Sequence, residues 1–63
     1  MKVMLKFADQ SGRLYYATSF EKFVRFSGRN RDIKTAVFQG LTQVPPKFLE
    51  KLEKLENGIF KRR

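Results

Sequence analysis

Apolar and polar residues alternate from Lys2 to Phe7. Val3, Leu5 and Phe7 fall on one side and Lys2, Met4 and Lys6 on the other, the period-two pattern of a half-buried strand. Asp9-Gln10-Ser11-Gly12 follows, a polar turn whose glycine can take the positive φ of a short hairpin loop. Leu14 to Ser19 then reads as the return strand, with Tyr15, Tyr16 and Thr18 as β-favouring residues. Phe20 to Phe26 fits two patterns. As a helix it is capped by Ser19 and carries Phe20, Phe23, Val24 and Ser27 on one face; as a strand it is rich in β-formers. Crowding of Phe and Val against a preceding helical turn favours the strand. Ser27 to Asp32 reads as a polar loop, and Ile33 to Phe38 as a further strand that Gly40 breaks.

Val44-Pro45-Pro46 marks a boundary, and Pro46 suits the first turn of a helix. The pattern predicts that helix over Lys47 to Asn57. Phe48, Leu49, Leu52 and Leu55 form its apolar stripe, Glu50 and Lys54 an i,i+4 pair, and Asn57-Gly58 its stop. Ile59 and Phe60 are expected to pack back on the core, ahead of a basic tail, Lys61-Arg62-Arg63. The predicted architecture is α+β: a three- to four-stranded antiparallel sheet, opened by an N-terminal hairpin, with one C-terminal helix packed across it. Residues 1–60 would form a single small basic domain and residues 61–63 its tail.

Composition narrows the chemistry. The 63 residues include 14 Lys or Arg against 6 Asp or Glu, a formal net charge of +8, and the chain has no Cys, His or Trp. Disulfides, zinc sites built on Cys or His, thiol nucleophiles and His-based triads are therefore excluded. Gly12, Gly28, Gly40 and Gly58 are isolated, so no phosphate-cradling glycine loop exists. The carboxylates are scattered, and no catalytic site, metal or cofactor is expected. One enzymatic arrangement survives, a ribonuclease working with Tyr15, Tyr16, Glu21 and Arg25 in place of a His pair; the chain is short for it. No apolar run reaches signal-peptide or membrane-span length, which leads us to expect a soluble cytoplasmic protein that binds no membrane. A chain this size buries only about 60% of its unfolded surface, so a homodimer, paired through an open sheet edge or the helix stripe, would enlarge a small core.

The charge is uneven. The predicted helix is neutral, and the excess lies on the sheet, its loops and the tail, most densely between Arg25 and Lys34. Arg13-Leu14-Tyr15-Tyr16 and Lys22-Phe23-Val24-Arg25-Phe26 mix aromatic rings with cations, as single-strand binding surfaces do. A small core also consumes aromatics, and most of the nine in this chain are expected inside. By strand parity at most one tyrosine would face solvent on an open sheet face. Phe23-Val24-Arg25-Phe26 matches the last four positions of the RNP1 pattern of RNA-recognition domains, but Ser19 and Phe20 replace its basic residue and glycine. The order of an N-terminal hairpin, the segment Lys22 to Arg29 and then Pro46-Lys47 opening a Leu-rich helix is similar to the small basic chromatin proteins of archaea. The middle is about one strand too short for that family and its groove-inserting tryptophan is missing, so no functional residue carries over.

These readings make a nucleic-acid-binding protein the leading expectation, with DNA and RNA both open and little sequence preference. Arg13, Lys22, Arg25, Arg29, Arg31 and Lys34 would contact phosphates, helped by Lys61, Arg62 and Arg63, while Tyr15, Phe23 or Phe26 would stack or wedge. Five neutralised phosphates would give a log–log salt slope of about −4 to −5 on duplex DNA. The alternative is a small regulator or inhibitor, of the kind phages and plasmids encode, that docks on an acidic surface of a partner protein.

Overall fold

The computed structural model describes residues 2–29 and 37–63. Its elements run β1 (Lys2–Ala8), β2 (Leu14–Ala17), α1 (Phe20–Arg29), β3 (Val37–Val44), α2 (Pro46–Leu49), β4 (Leu52–Glu56) and β5 (Ile59–Arg62). The strands form one five-stranded sheet in the order β3-β1-β2-β5-β4, with every neighbouring pair antiparallel. The fold is α+β as the pattern predicts, but the sheet has more strands and the longer helix lies in the middle of the chain.

The first hairpin forms as read. Leu5 faces Ala17 and Phe7 faces Tyr15 across it. The turn is held by Asp9, whose Oδ1 accepts bonds from the Ser11 amide (2.9 Å), the Ser11 hydroxyl (2.7 Å) and the Arg13 amide (3.0 Å). Its Oδ2 accepts the Tyr15 hydroxyl at 3.1 Å. The Ser11 hydroxyl is the main cause of a pKa held below the ordinary carboxylate value. Partial burial opposes it, and the Arg13 amide, the Tyr15 hydroxyl and the Ser11 amide reinforce it.

Residues 20–26 are helical, a correction to the strand. The Ser19 hydroxyl accepts the Lys22 amide at 3.2 Å and the Ser19 carbonyl accepts the Phe23 amide at 3.1 Å, which closes the first turn. Glu21 sits in that turn and Arg29 in the last, the arrangement the helix dipole favours. Burial decides between the two patterns. A strand would send Phe23 and Phe26 to opposite faces, whereas a helix puts them on one. Both reach the core: Phe7 lies 4.6 Å from Phe23 and 6.4 Å from Phe26, centroid to centroid. Ser27, Gly28 and Arg29, expected in a loop, continue the helix. The rest of that loop and the start of the expected strand at Ile33 lie outside the described residues. Gly40 does not end β3. It adopts φ +107° beside a bulge, where Lys6 faces Gly40 but Phe7 already faces Phe38.

The predicted C-terminal helix is absent. Pro46 does open a helix, but α2 is four residues long and stops at Leu49. Leu52 to Glu56 is the edge strand β4, and Asn57-Gly58 is a two-residue hairpin turn into β5. Gly58 has φ +86°, and a Cβ there would lie 2.7 Å from Thr18 Oγ1, so only glycine fits. Its carbonyl accepts the Thr18 amide at 2.9 Å, which ties the start of α1 to this turn. Lys61 and Arg62, read as tail, belong to β5. With the helix goes the order of elements on which the chromatin-protein resemblance rested.

Each sheet face carries its own core. Leu5, Phe7, Tyr15, Ala17 and Ile59 meet Phe26 of α1 on one face, with Phe23 packed against them. Met4, Tyr16, Val44 and Leu52 cluster on the other, beneath Phe48 and Leu49 of α2 and beside Phe60. Ile59 and Phe60 thus pack inward as expected. Because each face is partly covered, both tyrosines are buried: Tyr15 retains 9% exposure and Tyr16 5%.

Candidate nucleic-acid interface

The basic residues separate into two groups at opposite ends of β5. The first surrounds the β4–β5 turn, where α1 meets it. Lys22, Arg25 and Arg29 line a concavity of about 240 Å³ with Glu56 and Asn57. Carboxylates occupy two of these three cations. Arg25 Nη2 lies 3.1 Å from Glu21 Oε1, one helical turn earlier, and Arg29 Nη1 lies 3.2 Å from Glu56 Oε2. Phosphate binding here must compete with both pairs, each exposed and worth about 0–1 kcal/mol.

The second group lies at the far end of β5, beside the first hairpin turn. Arg13, Arg62 and Arg63 line an open concavity of about 460 Å³ with Ser11, Gly12 and Leu14. Arg62 and Arg63 also line a neighbouring one of about 390 Å³ with Phe48, Glu50 and Lys51. The two concavities therefore form one surface, with Arg13 at one side and Lys51 at the other. All four cations are exposed, and among the described residues none has a carboxylate within ion-pair distance. The fold explains the convergence. Leu52 faces Arg62 across the β4–β5 ladder, which brings Lys51 beside the end of β5. Asp9 holds the Arg13 amide, fixing the turn that presents the guanidinium. Unlike Glu21 and Glu56, Asp9 spends its carboxylate on amides and hydroxyls and leaves the arginine side chain uncompensated.

The expected site residues sort accordingly. Arg13, Arg62 and Arg63 come together, as do Lys22, Arg25 and Arg29. Lys61 joins neither group: it faces Tyr15 in the ladder and pairs with Glu53 at 3.3 Å. Arg31 and Lys34 lie outside the described residues. Of the aromatic candidates, Phe23 is half-buried against the core formed by Phe7, Tyr15 and Phe26. Tyr15 stacks on Phe7 at 5.4 Å and Phe26 is buried in the same core, so neither ring is presented to a base. Tyr16, another member of the surviving enzymatic arrangement, is buried on the opposite face from Tyr15. Lys51 was not among the expected site residues, because a helix over 47–57 sets it among balancing glutamates. No local signal reveals its position, which depends on pairing with β5.

Among the described residues no helix is long and apolar enough to cross a membrane. No group of three or more Asp or Glu side chains there is placed to hold a metal ion. The architecture is that of a small basic α+β domain with a five-stranded antiparallel sheet. Compared with known proteins, the chain matches no family model, no curated protein and no solved structure.

Proposed function

We propose that this protein binds nucleic acid through the phosphate backbone, using Arg13, Arg62 and Arg63 with Lys51 as its contact surface. The observation that supports the reading is the convergence of four cations without carboxylate partners on one open surface, in a chain of net charge +8. Arginine forks suit phosphate oxygens, and an exposed surface costs little to desolvate. Burial of Tyr15 and Phe26 withdraws those two rings from bases, which favours an electrostatic mode with weak sequence preference. The group around Lys22, Arg25 and Arg29 acts as a secondary site on this reading.

The alternative, docking on an acidic surface of a protein, draws on the same cations. It gains support from Phe20 and Val24, which are 62% and 50% exposed on the helix that carries Arg25. One experiment separates the two. Fluorescence anisotropy is measured with labelled duplex DNA, single-stranded DNA, RNA and poly-glutamate at several salt concentrations. Nucleic-acid binding through four phosphate contacts gives a duplex slope of about −3 to −4. Equal affinity for poly-glutamate, or a flat salt response on the duplex, rejects the proposal.

A further inference from the structure

The sheet has two outer edges. β4 is short and its sequence, Leu-Glu-Lys-Leu-Glu, places charge at Glu53, Lys54 and Glu56, with a bulge between Lys54 and Glu56. Charge, shortness and bulges are the usual protection of an exposed edge. β3 is the other edge. It is eight residues long, Val-Phe-Gln-Gly-Leu-Thr-Gln-Val, without a charged side chain. Its outer side has no strand partner among the described residues.

An uncovered apolar strip adjoins this edge. α1 packs over β2 and β5, and the β1–β3 part of the same face keeps Leu41 69%, Val3 52% and Phe38 48% exposed. Register places all three with Leu5 and Phe7, because Leu41 faces Leu5, Phe38 faces Phe7, and Val3 lies two residues before Leu5. Phe23, which touches Phe38 at 6.3 Å and Phe20 at 5.9 Å, continues the strip onto α1.

We infer that β3 is a self-association edge, at which two copies of this chain pair antiparallel, β3 against β3, and bring the two copies of Leu41 together at the seam. Electrostatics selects a second copy as the occupant. A nucleic acid or an acidic protein finds no cation along β3. Two chains of +8 repel each other least where the strands that meet bear no charge, and β3 is the outer strand without a charged side chain. A twofold axis passing between Leu41 and Gln43 sets the two copies of Leu41 diagonally across the seam, within side-chain reach. The bulge at Gly40 confines regular pairing to the residues beyond it, so the contact is short and falls among the small, weak interfaces.

Sedimentation equilibrium from about 1 to about 200 μM tests the inference. The wild-type chain is expected to dimerise, more tightly as salt rises, because screening relieves the repulsion; phosphate binding has the opposite salt dependence. Leu41→Lys is expected to weaken the dimer at least tenfold with an unchanged far-UV circular dichroism spectrum. Leu55→Lys, on the other edge, is expected to leave it intact. The chain has no cysteine, so single variants Leu41→Cys, Thr42→Cys and Gln43→Cys locate the axis: at least one is expected to form a self-disulfide under mild oxidation, and Glu53→Cys is not. A wild-type monomer throughout the range overturns the inference. So does a dimer that survives Leu41→Lys, or one that Leu55→Lys dissociates equally.

Discussion

The two basic ends of β5 hold similar residues and differ in what their acids do. Around α1, Glu21 and Glu56 reach the guanidiniums of Arg25 and Arg29. At the hairpin end the nearby acid, Asp9, is consumed by backbone amides and hydroxyls, and Arg13 projects uncompensated. Basic side chains alone therefore do not mark an anion site. What marks one here is cations with no carboxylate within ion-pair distance among the described residues: Asp9 is occupied by the turn, and Glu50, which lines the same surface, pairs with none of them. The proposal places binding at the hairpin end for that reason and gives the denser-looking basic stretch in α1 a secondary role.

The largest effect is expected from disrupting the turn that builds the α1 end. Gly58→Ala forces a side chain into φ +86° and against Thr18. A loss of about 2–3 kcal/mol in a denaturant titration is expected, the scale of a strained position combined with a steric clash. Next comes Arg13→Ala with Arg62→Ala, which removes half of the uncompensated cations and leaves the core untouched. Affinity for duplex DNA is expected to fall about tenfold or more, and the salt slope to flatten by about 2. Asp9→Asn is milder. It keeps the shape of the turn acceptor but not its charge, and about 1 kcal/mol of stability is expected to go.

Asp9 also carries a pH signature. Its folded pKa lies below the ordinary value, so the folded state binds fewer protons than the unfolded state in acid. Its contribution is complete above the unfolded carboxylate value and is lost as pH falls through the lowered one. Wild-type stability is expected to decline over that window more steeply than that of Asp9→Asn, as thermal melts in a pH series would read. The smallest effect is expected from Arg25→Ala with Arg29→Ala: less than about threefold on binding and within about 0.5 kcal/mol on stability per exposed pair.

Local chemistry explains which parts of the molecule were legible in the sequence. The first hairpin was, because strict alternation and an Asp-Gln-Ser-Gly turn act within a dozen residues of each other. The 20–26 segment was not, because its choice depends on Phe23 and Phe26 finding Phe7 across the sheet. Residues 47–57 mislead for a different reason. Phe48, Leu49, Leu52 and Leu55 keep helical spacing, yet Ile59 must reach the core beside Ala17 and β4 completes the hairpin that carries it. Asn57-Gly58 serves equally as a helix stop and as a hairpin turn, and tertiary pairing makes it the second. The cations were legible as a set, and their partition was not. Arg29 meets its acid across 27 positions of sequence, and Lys51 reaches Arg62 and Arg63 through strand pairing.

The most direct test of the account is a two-dimensional amide NMR titration of the wild-type chain with a short DNA duplex at about 0.15 M salt, where screening acts within about 8 Å. The account predicts that the amides of residues 11–14, Lys51, Arg62 and Arg63 shift first and furthest, while those of residues 22–29 move only as the duplex reaches excess. Shifts centred on α1, with the hairpin end unmoved, would contradict it.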